Sequence, residues 1–437
     1  MIEAFRNAFR LPDLRNKLLF TGLILVIYQF AAHVPVVGVN RAALENLIEN
    51  QAGLFGVLNL LSGGALRNFS VIANGVYPYI TAQIILQVLT PVIPRLEQMQ
   101  KEPGGREKME TYVYYLAIPM AILQTISQIQ IFNALGGQPI IPNFGSDFLL
   151  TLTVIVTMTA GTMFAVWLGQ LITEQGIGNG LSIIIFAGIV ARAPENLLSL
   201  LTGSTQPVFN LIAFIVITVL SIIAIIYIQE GVRRIPVQYG KRVRGRKQYG
   251  GASTHIPLKV NPVGMIPLIF AQSIITFPAL IVGLFPDGPV RQAITATFGQ
   301  QQGLVYWISF FILVVGFTFV YSDIMVGNQN LSENLQRNGG FIPGIRPGKN
   351  TQTYISRVTR RITLVGAVFL GVIAILPGIM DFINRILFPT EIVTGTAGNA
   401  ALVLSGSGLI IVVGVVIDTM RQLEAQLVMR NYDRFIR

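Results

Sequence analysis

The chain of 437 residues is 52% hydrophobic and only 12% charged, with a mean hydropathy of +0.63 and a formal net charge of +11. Soluble globular chains carry roughly 25% charged residues, so about half that level leaves most of this chain with no water to face and excludes a soluble domain. The lack of cysteine excludes a disulfide framework, a thiol nucleophile and a cysteine-ligated metal, and His33 and His255 stand too far apart in character to make a metal site, one in an apolar stretch and one in a hydrophilic loop.

In chain order, stretches free of Asp, Glu, Lys and Arg fall at 18–37, 69–94, 111–134, 148–173, 177–191, 208–229, 260–286, 304–322, 362–380 and 399–417. Charges, glycines or prolines bound each one, and most approach the roughly 20 residues that cross a bilayer core. The first is followed by Pro35 to Gly38 with no small-residue cleavage pattern, so it reads as a retained span rather than a signal peptide. The pattern predicts an all-α polytopic membrane protein of about ten transmembrane helices. An even count puts both termini on one side.

Between the first two stretches, Leu54 to Leu61 is a half-length apolar piece that includes Phe55 and Leu58, followed by Ser62, Gly63 and Gly64. About eight apolar residues cannot span a bilayer, so this piece is either an interfacial helix or a re-entrant one sheltered by protein or water. The fifth stretch opens on Gly176-Ile177-Gly178-Asn179-Gly180, which suits a hinge or a close helix approach. No Lys-Ser or Lys-Thr follows these glycines and no strand precedes them, so they do not cradle a phosphate.

Charge selects the side. All but five of the 31 Lys and Arg lie in the N-terminal segment, the second-to-third, sixth-to-seventh and eighth-to-ninth connections, and the C-terminal tail; the five are Arg41, Arg67, Arg192, Arg291 and Arg385. By the positive-inside rule the basic set is cytoplasmic, with both termini. The loop 231–260 holds no acid, and 337–349, within the connection 326–361, is rigidified by Pro343 and Pro347. Together they are more basic than topology requires and form a platform for a polyanion or an acidic protein.

Within the spans, the absence of Asp, Glu and Lys is informative, because pumps and ion-coupled transporters place such groups mid-membrane. Polar side chains there are neutral instead, among them Gln83, Gln87, Gln124, Gln128, Gln272, Ser273 and Thr276. They either join helices by hydrogen bonds or line a path that water and polypeptide enter. An aliphatic constriction on such a path seals by dewetting.

The strings LSGGALRNFS (61–70), GVYPYITAQIILQ (75–87), ITEQGIGNGLSIIIFAGIV (172–190), RRIPVQYGKR (233–242), STHIPLKVNPVGMIPLIFA (253–271), GGFIPGIRPG (339–348) and LIIVVGVVIDTM (409–420) resemble the bacterial SecY family. The resemblance runs from end to end in the same order; the loops 286–303 and 381–398 follow it least. It implies the central channel subunit of a secretory translocase in the bacterial plasma membrane, built as two five-helix pseudo-inverted halves, 1–200 and 201–437, around a central pore. It implies a pore ring of Val76, Ile80, Ile185, Ile269 and Ile411, with valine at 76 where the family usually has isoleucine. The half-length piece becomes a plug over about 54–70, and Thr81, Gln83, Gln124, Asn179 and Phe277 lie along a lateral gate. By the same resemblance, Arg242, Arg244, Arg246, Lys247 and Arg346 would face the motor SecA or the ribosome. The implied partners are SecE and SecG-like small membrane subunits, SecA, the ribosome, signal sequences with their nascent chains, and membrane lipids; no cofactor and no metal is implied.

The favoured class is therefore a passive protein-conducting channel, not an enzyme, that translocates unfolded polypeptides and releases membrane helices sideways. The other class is a secondary transporter or a flippase of lipid-linked solutes, which should show the mid-membrane charge this chain lacks. No paired carboxylates, zinc motif or nucleotide-binding motif appears, so the energy must come from outside.

Overall fold

A computed structural model describes residues 11–44, 65–90, 93–135, 139–203, 207–239, 242–244, 247–249, 253–282, 288–294, 297–298, 303–328, 331–379, 382 and 408–436. The helices of the first half are α1 (Pro12–Ala31), α2 (Tyr77–Leu89), α3 (Pro94–Lys101), α4 (Gly105–Leu135), α5 (Phe148–Gln175) and α6 (Gly180–Gly203). After α7 (Pro207–Glu230) come the strands β1 (Val232–Tyr239), β2 (Arg242–Arg244), β3 (Lys247–Tyr249) and β4 (Ser253–Lys259). Then follow α8 (Ile266–Val282), α9 (Pro289–Ile294), α10 (Leu304–Asn328), α11 (Leu331–Arg337), β5 (Gly340–Phe341), α12 (Lys349–Ala374) and α13 (Leu409–Ile436).

A helix thus falls on each of the ten apolar stretches. Among the described residues, α1, α5, α10 and the part of α4 from Glu107 to Asn133 are long and apolar enough to cross a membrane on their own. Shorter apolar helical stretches, Gly180–Ala191, Phe214–Glu230 and Ile266–Ala279, fall on three more. Their outer faces have the composition of a lipid-facing surface: Ile212, Val219, Leu220 and Ile223 of α7 are all exposed, as are Leu304, Val305 and Ile312 of α10. In water that much contiguous apolar surface would drive association.

Two boundaries differ from the sequence expectation. The second span was expected over 69–94, but residues 71–76 form turns and α2 holds only 13 residues, about 20 Å of rise against a hydrocarbon core of about 30 Å. Gly75 adopts a left-handed φ of 55°, and the Asn74 side chain donates to Thr125 Oγ1 at 2.7 Å, which docks the turn on α4 instead of continuing the helix. At the ninth span the helix begins at Lys349, well before the apolar onset at Ile362, so charged and apolar segments form one continuous rod. His33 lies in the turn beyond α1, with Nδ1 2.8 Å from the Gln29 carbonyl.

The loop 231–260 is not irregular. β1 pairs antiparallel with β4, with Ile235 opposite Ile256, and its far end pairs with β5, with Gln238 opposite Phe341. Ile235 and Val237 alternate with exposed residues and pack on Leu258, Leu335, Ile342 and Ile355, a small core separate from the membrane bundle. Pro236 is tolerated in the central strand because β5 covers only Gln238 and Tyr239, leaving that position open on one side.

Candidate functional site

Val76, Ile80, Ile185, Ile269 and Ile411 are all buried, and all belong to one hydrophobic cluster. Four helices supply them. Val76 precedes α2 and its carbonyl accepts from Ile80 N at 3.1 Å, so the two residues lie one helical turn apart. Ile185 is set by the glycine turn before α6. Gly178 takes a φ of 85°, and a Cβ on Gly180 would collide with the Gly169 carbonyl, so the turn needs both left-handed backbone and close approach. Gly180 N donates to Thr173 Oγ1 at 2.9 Å, locking α5 to α6. Ile269 lies in the first turn of α8 and Ile411 in that of α13. Among the described residues no Asp, Glu, Lys, Arg or His is buried. The five aliphatic side chains expected to form a waist therefore lie in a core whose polar groups, among the described residues, are neutral, with no buried charge able to select an ion.

α2 packs against α4 and α8, and α8 against α10. Among the described residues, two side-chain hydrogen bonds cross this seam. Tyr77 Oη donates to the Ser273 carbonyl at 2.6 Å, and Gln87 Nε2 donates to Tyr321 Oη at 3.3 Å. The ring of Phe270 meets that of Tyr321 edge-on at 5.5 Å. Thr81 is buried and donates back to the Tyr77 carbonyl at 3.0 Å, while Gln124 on α4 is buried and Gln83 and Phe277 are half-buried on α2 and α8. Asn179 is placed elsewhere, at the α5–α6 turn, where Oδ1 accepts from Ser182 N at 3.2 Å and caps α6. The structure thus brings Thr81, Gln83, Gln124 and Phe277 onto the seam elements and leaves Asn179 off them. Sequence reasoning missed Tyr77 and Tyr321; the only signal was a tyrosine beside Pro78 in an otherwise aliphatic stretch.

Among the described residues, buried polar atoms with no protein partner include Asn74 Oδ1, Gln87 Oε1, Gln128 Oε1 and Ser273 Oγ on or beside these elements, with others on α5, α7 and α12. Such atoms cost free energy in a dry core, of order 1–3 kcal/mol each, and suit an interior that admits hydrogen-bonding groups.

Leu54, Phe55, Leu58, Leu61, Ser62, Gly63 and Gly64 lie outside the described residues. The end of that segment is described. Ala65–Asn68 form a 3-10 turn, Ser70 bridges Pro35, and Val36 N donates to the Phe69 carbonyl at 3.0 Å. Phe69 meets Phe132 edge-on at 6.3 Å, and Ala65 belongs to the cluster that holds the five waist residues. The chain that follows the half-length piece is therefore tied to the turn after α1 and to α4.

On the basic face, Arg242 and Arg244 lie in β2 and Lys247 in β3, a two-residue hairpin, while Arg246 lies outside the described residues. Arg346 is exposed on the loop after β5; its carbonyl accepts from Thr351 Oγ1 at 2.9 Å, and Gly344 and Gly348 adopt left-handed φ of 82° and 102° on either side. Because β5 pairs with β1, the two basic connections form one module rather than two loops.

The family model described as SecY matches residues 70–420. Protein translocase subunit SecY of Halalkalibacterium halodurans is 43% identical over 448 residues, covering 100% of each chain. The protein of that name from Mycobacterium tuberculosis is 41% identical, again over 100% of both. Among solved structures, one described as a protein conducting channel superposes with a TM-score of 0.64 at 18% identity, covering 94% of this chain and 92% of that one. Sec61 in the canine ribosome–channel complex from the endoplasmic reticulum gives 0.62 at 18% identity with the same coverage. At such identity the superpositions establish the fold.

Proposed function

This chain belongs to the SecY family, and from that membership we propose how its geometry conducts polypeptide across, and releases helices into, a bacterial plasma membrane. The protein is a multi-pass membrane channel subunit, not an enzyme. The observation that carries the reading is the buried aliphatic waist of Val76, Ile80, Ile185, Ile269 and Ile411, drawn from four helices with no buried charge among the described residues.

At rest the waist excludes water and ions because wetting an aliphatic constriction is unfavourable. A chain of any sequence passes because the collar offers dispersion contacts and no fixed charge, and its β-branched side chains keep it narrow. The segment 54–70 acts as a second barrier, tethered through Ala65 and Phe69. The two halves, 1–200 and 201–437, part along the α2–α4 and α8–α10 seam to release apolar segments sideways. The hydrogen bonds Tyr77–Ser273 and Gln87–Tyr321 hold that seam shut in the resting state.

The basic module of β1, β4 and the Arg346 loop docks the driving partner on the cytoplasmic side, where both termini also lie. Arg242, Arg244, Arg246 and Lys247 extend it, and their charge suits ribosomal RNA or the acidic surface of a motor such as SecA. The solved ribosome–channel complex of Sec61 supports the ribosome as a partner. The exposed apolar faces of the outer helices suit lipid and small SecE- and SecG-like subunits.

The test is reconstitution of the chain with those subunits into sealed vesicles, with SecA, ATP and a preprotein outside. The expected result is preprotein that resists protease until detergent is added. Vesicles that leave all preprotein digestible while the complex is intact refute the reading.

A further inference from the structure

The N-terminal third of α12 has chemistry that polypeptide conduction does not use. Lys349, Thr353, Arg357 and Arg361 recur every four residues, so they share one face. With Gln352 and Ser356 they line an open cavity of about 590 Å³. Arg360, also at its wall, is already engaged: Nε and Nη2 donate to Asp323 Oδ1 and Oδ2 at 3.3 and 3.1 Å, fixing α12 to α10. Among the described residues, Lys349, Arg357 and Arg361 have no carboxylate partner. The cavity is therefore lined by three cations left to an outside ligand, with amide and hydroxyl groups between them.

The same face continues upward without charge. Leu364, Val365, Val368 and Val372 follow Arg361 at helical spacing and are all exposed, from 41% to 57%. From Arg361 to Val372 the helix rises about 16 Å, close to the depth of one leaflet of a hydrocarbon core of about 30 Å. The change from cationic to apolar falls at Ile362, where the charge-free stretch begins. Two guanidinium groups at this depth have the planar donor geometry that phosphate favours.

We propose that this face is a binding site for one anionic phospholipid of the cytoplasmic leaflet: its phosphate lies in the cavity on Arg357 and Arg361, and an acyl chain lies along Val365, Val368 and Val372. The apolar stripe decides the occupant. A nucleic acid or an acidic protein would use the cations but leave the stripe uncovered, whereas a phospholipid matches both parts and their length. The site lies apart from the waist and the seam hydrogen bonds, so it stands or falls independently of the conduction reading.

The test uses the purified full-length protein in nanodiscs containing trace phosphatidylglycerol with a photoreactive acyl chain, and cross-links mapped by peptide mass. Wild type should give adducts on the α12 segment around Val365 and Val368, competed by unlabelled phosphatidylglycerol but not by phosphatidylcholine. At about fivefold in affinity per interfacial arginine, Arg357→Gln with Arg361→Gln should weaken this competition about 25-fold. Arg233→Gln with Arg234→Gln, which removes two cations from β1, should leave it unchanged. Glycerophosphoglycerol, the headgroup without chains, should not compete. Equal α12 labelling in wild type and the α12 double variant, or competition by the free headgroup as strong as by the lipid, overturns the proposal. So does a double variant that loses ribosome or SecA binding while its lipid labelling stays intact.

Discussion

Replacing Tyr77 by phenylalanine removes one oxygen and keeps the ring, so the buried aromatic packing survives while the 2.6 Å bond from Oη to the Ser273 carbonyl is lost. That bond joins α2 to α8, so parting those helices along the proposed seam would break it. In an open seam the tyrosine hydroxyl would be satisfied by water, so its deletion penalises the closed state alone. A net contribution of about 0.5–1.5 kcal/mol for a neutral hydrogen bond converts to a shift of about two- to twelvefold toward the open state. The effect should appear as a higher resting ion conductance of reconstituted protein and as better transport of a preprotein with a weakened signal sequence. Gln87→Leu, which removes the longer 3.3 Å bond to Tyr321, should act in the same direction and more weakly. If Tyr77 serves only fold stability, Tyr77→Phe will lower the melting temperature and leave conductance and signal discrimination at wild-type levels. That outcome refutes the seam argument.

The aliphatic waist predicts that Ile80→Asn, Ile185→Asn and Ile411→Asn raise resting ion leak in well-folded protein, since an amide in the collar holds water; unchanged leak in bilayer recordings would reduce these residues to ordinary core. Arg346→Glu should cut partner-driven transport at least tenfold with normal membrane insertion, because the reversed charge faces an acidic or phosphate-bearing partner; normal transport by the stable variant removes Arg346 from the docking surface. For topology, single cysteines at Thr254 and Asn143, both exposed, should label with an impermeant thiol reagent only in inverted vesicles and only in intact cells, respectively. The reverse pattern would contradict the cytoplasmic assignment of the basic module.

The helices could be read from the chain because a bilayer forces an unambiguous code: apolar runs such as 208–229 have no other stable use. Their ends were harder. The second span lost its first residues to a turn fixed by Gly75 and by the Asn74–Thr125 hydrogen bond, a tertiary contact that no local pattern carries. The sheet of β1, β4 and β5 was hidden because Arg233, Arg234 and Pro236 mask the alternation of Ile235 and Val237. The pairing of Gln238 with Phe341 also joins segments about a hundred residues apart, and long-range pairing leaves no local mark. The waist residues were legible only through family resemblance: isoleucine at 80, 185, 269 or 411 looks like any core isoleucine. The structure shows them buried together in the main core of the bundle, alongside many other aliphatic residues. Asn179 shows the converse, since its side chain has a sufficient local task in capping α6.

The central claim is that polypeptide passes through the waist. The natural chain has no cysteine, so single cysteines at Ile80, Ile185, Ile269 and Ile411 are unique reactive points. A preprotein arrested in transit, with one cysteine in the segment that spans the membrane, is oxidised against each variant in turn. The account predicts disulfide adducts at all four waist positions and none at the lipid-facing controls Val219 and Ile312. Adducts at the controls equal to those at the waist, or none at the waist while the preprotein is demonstrably arrested, would contradict it.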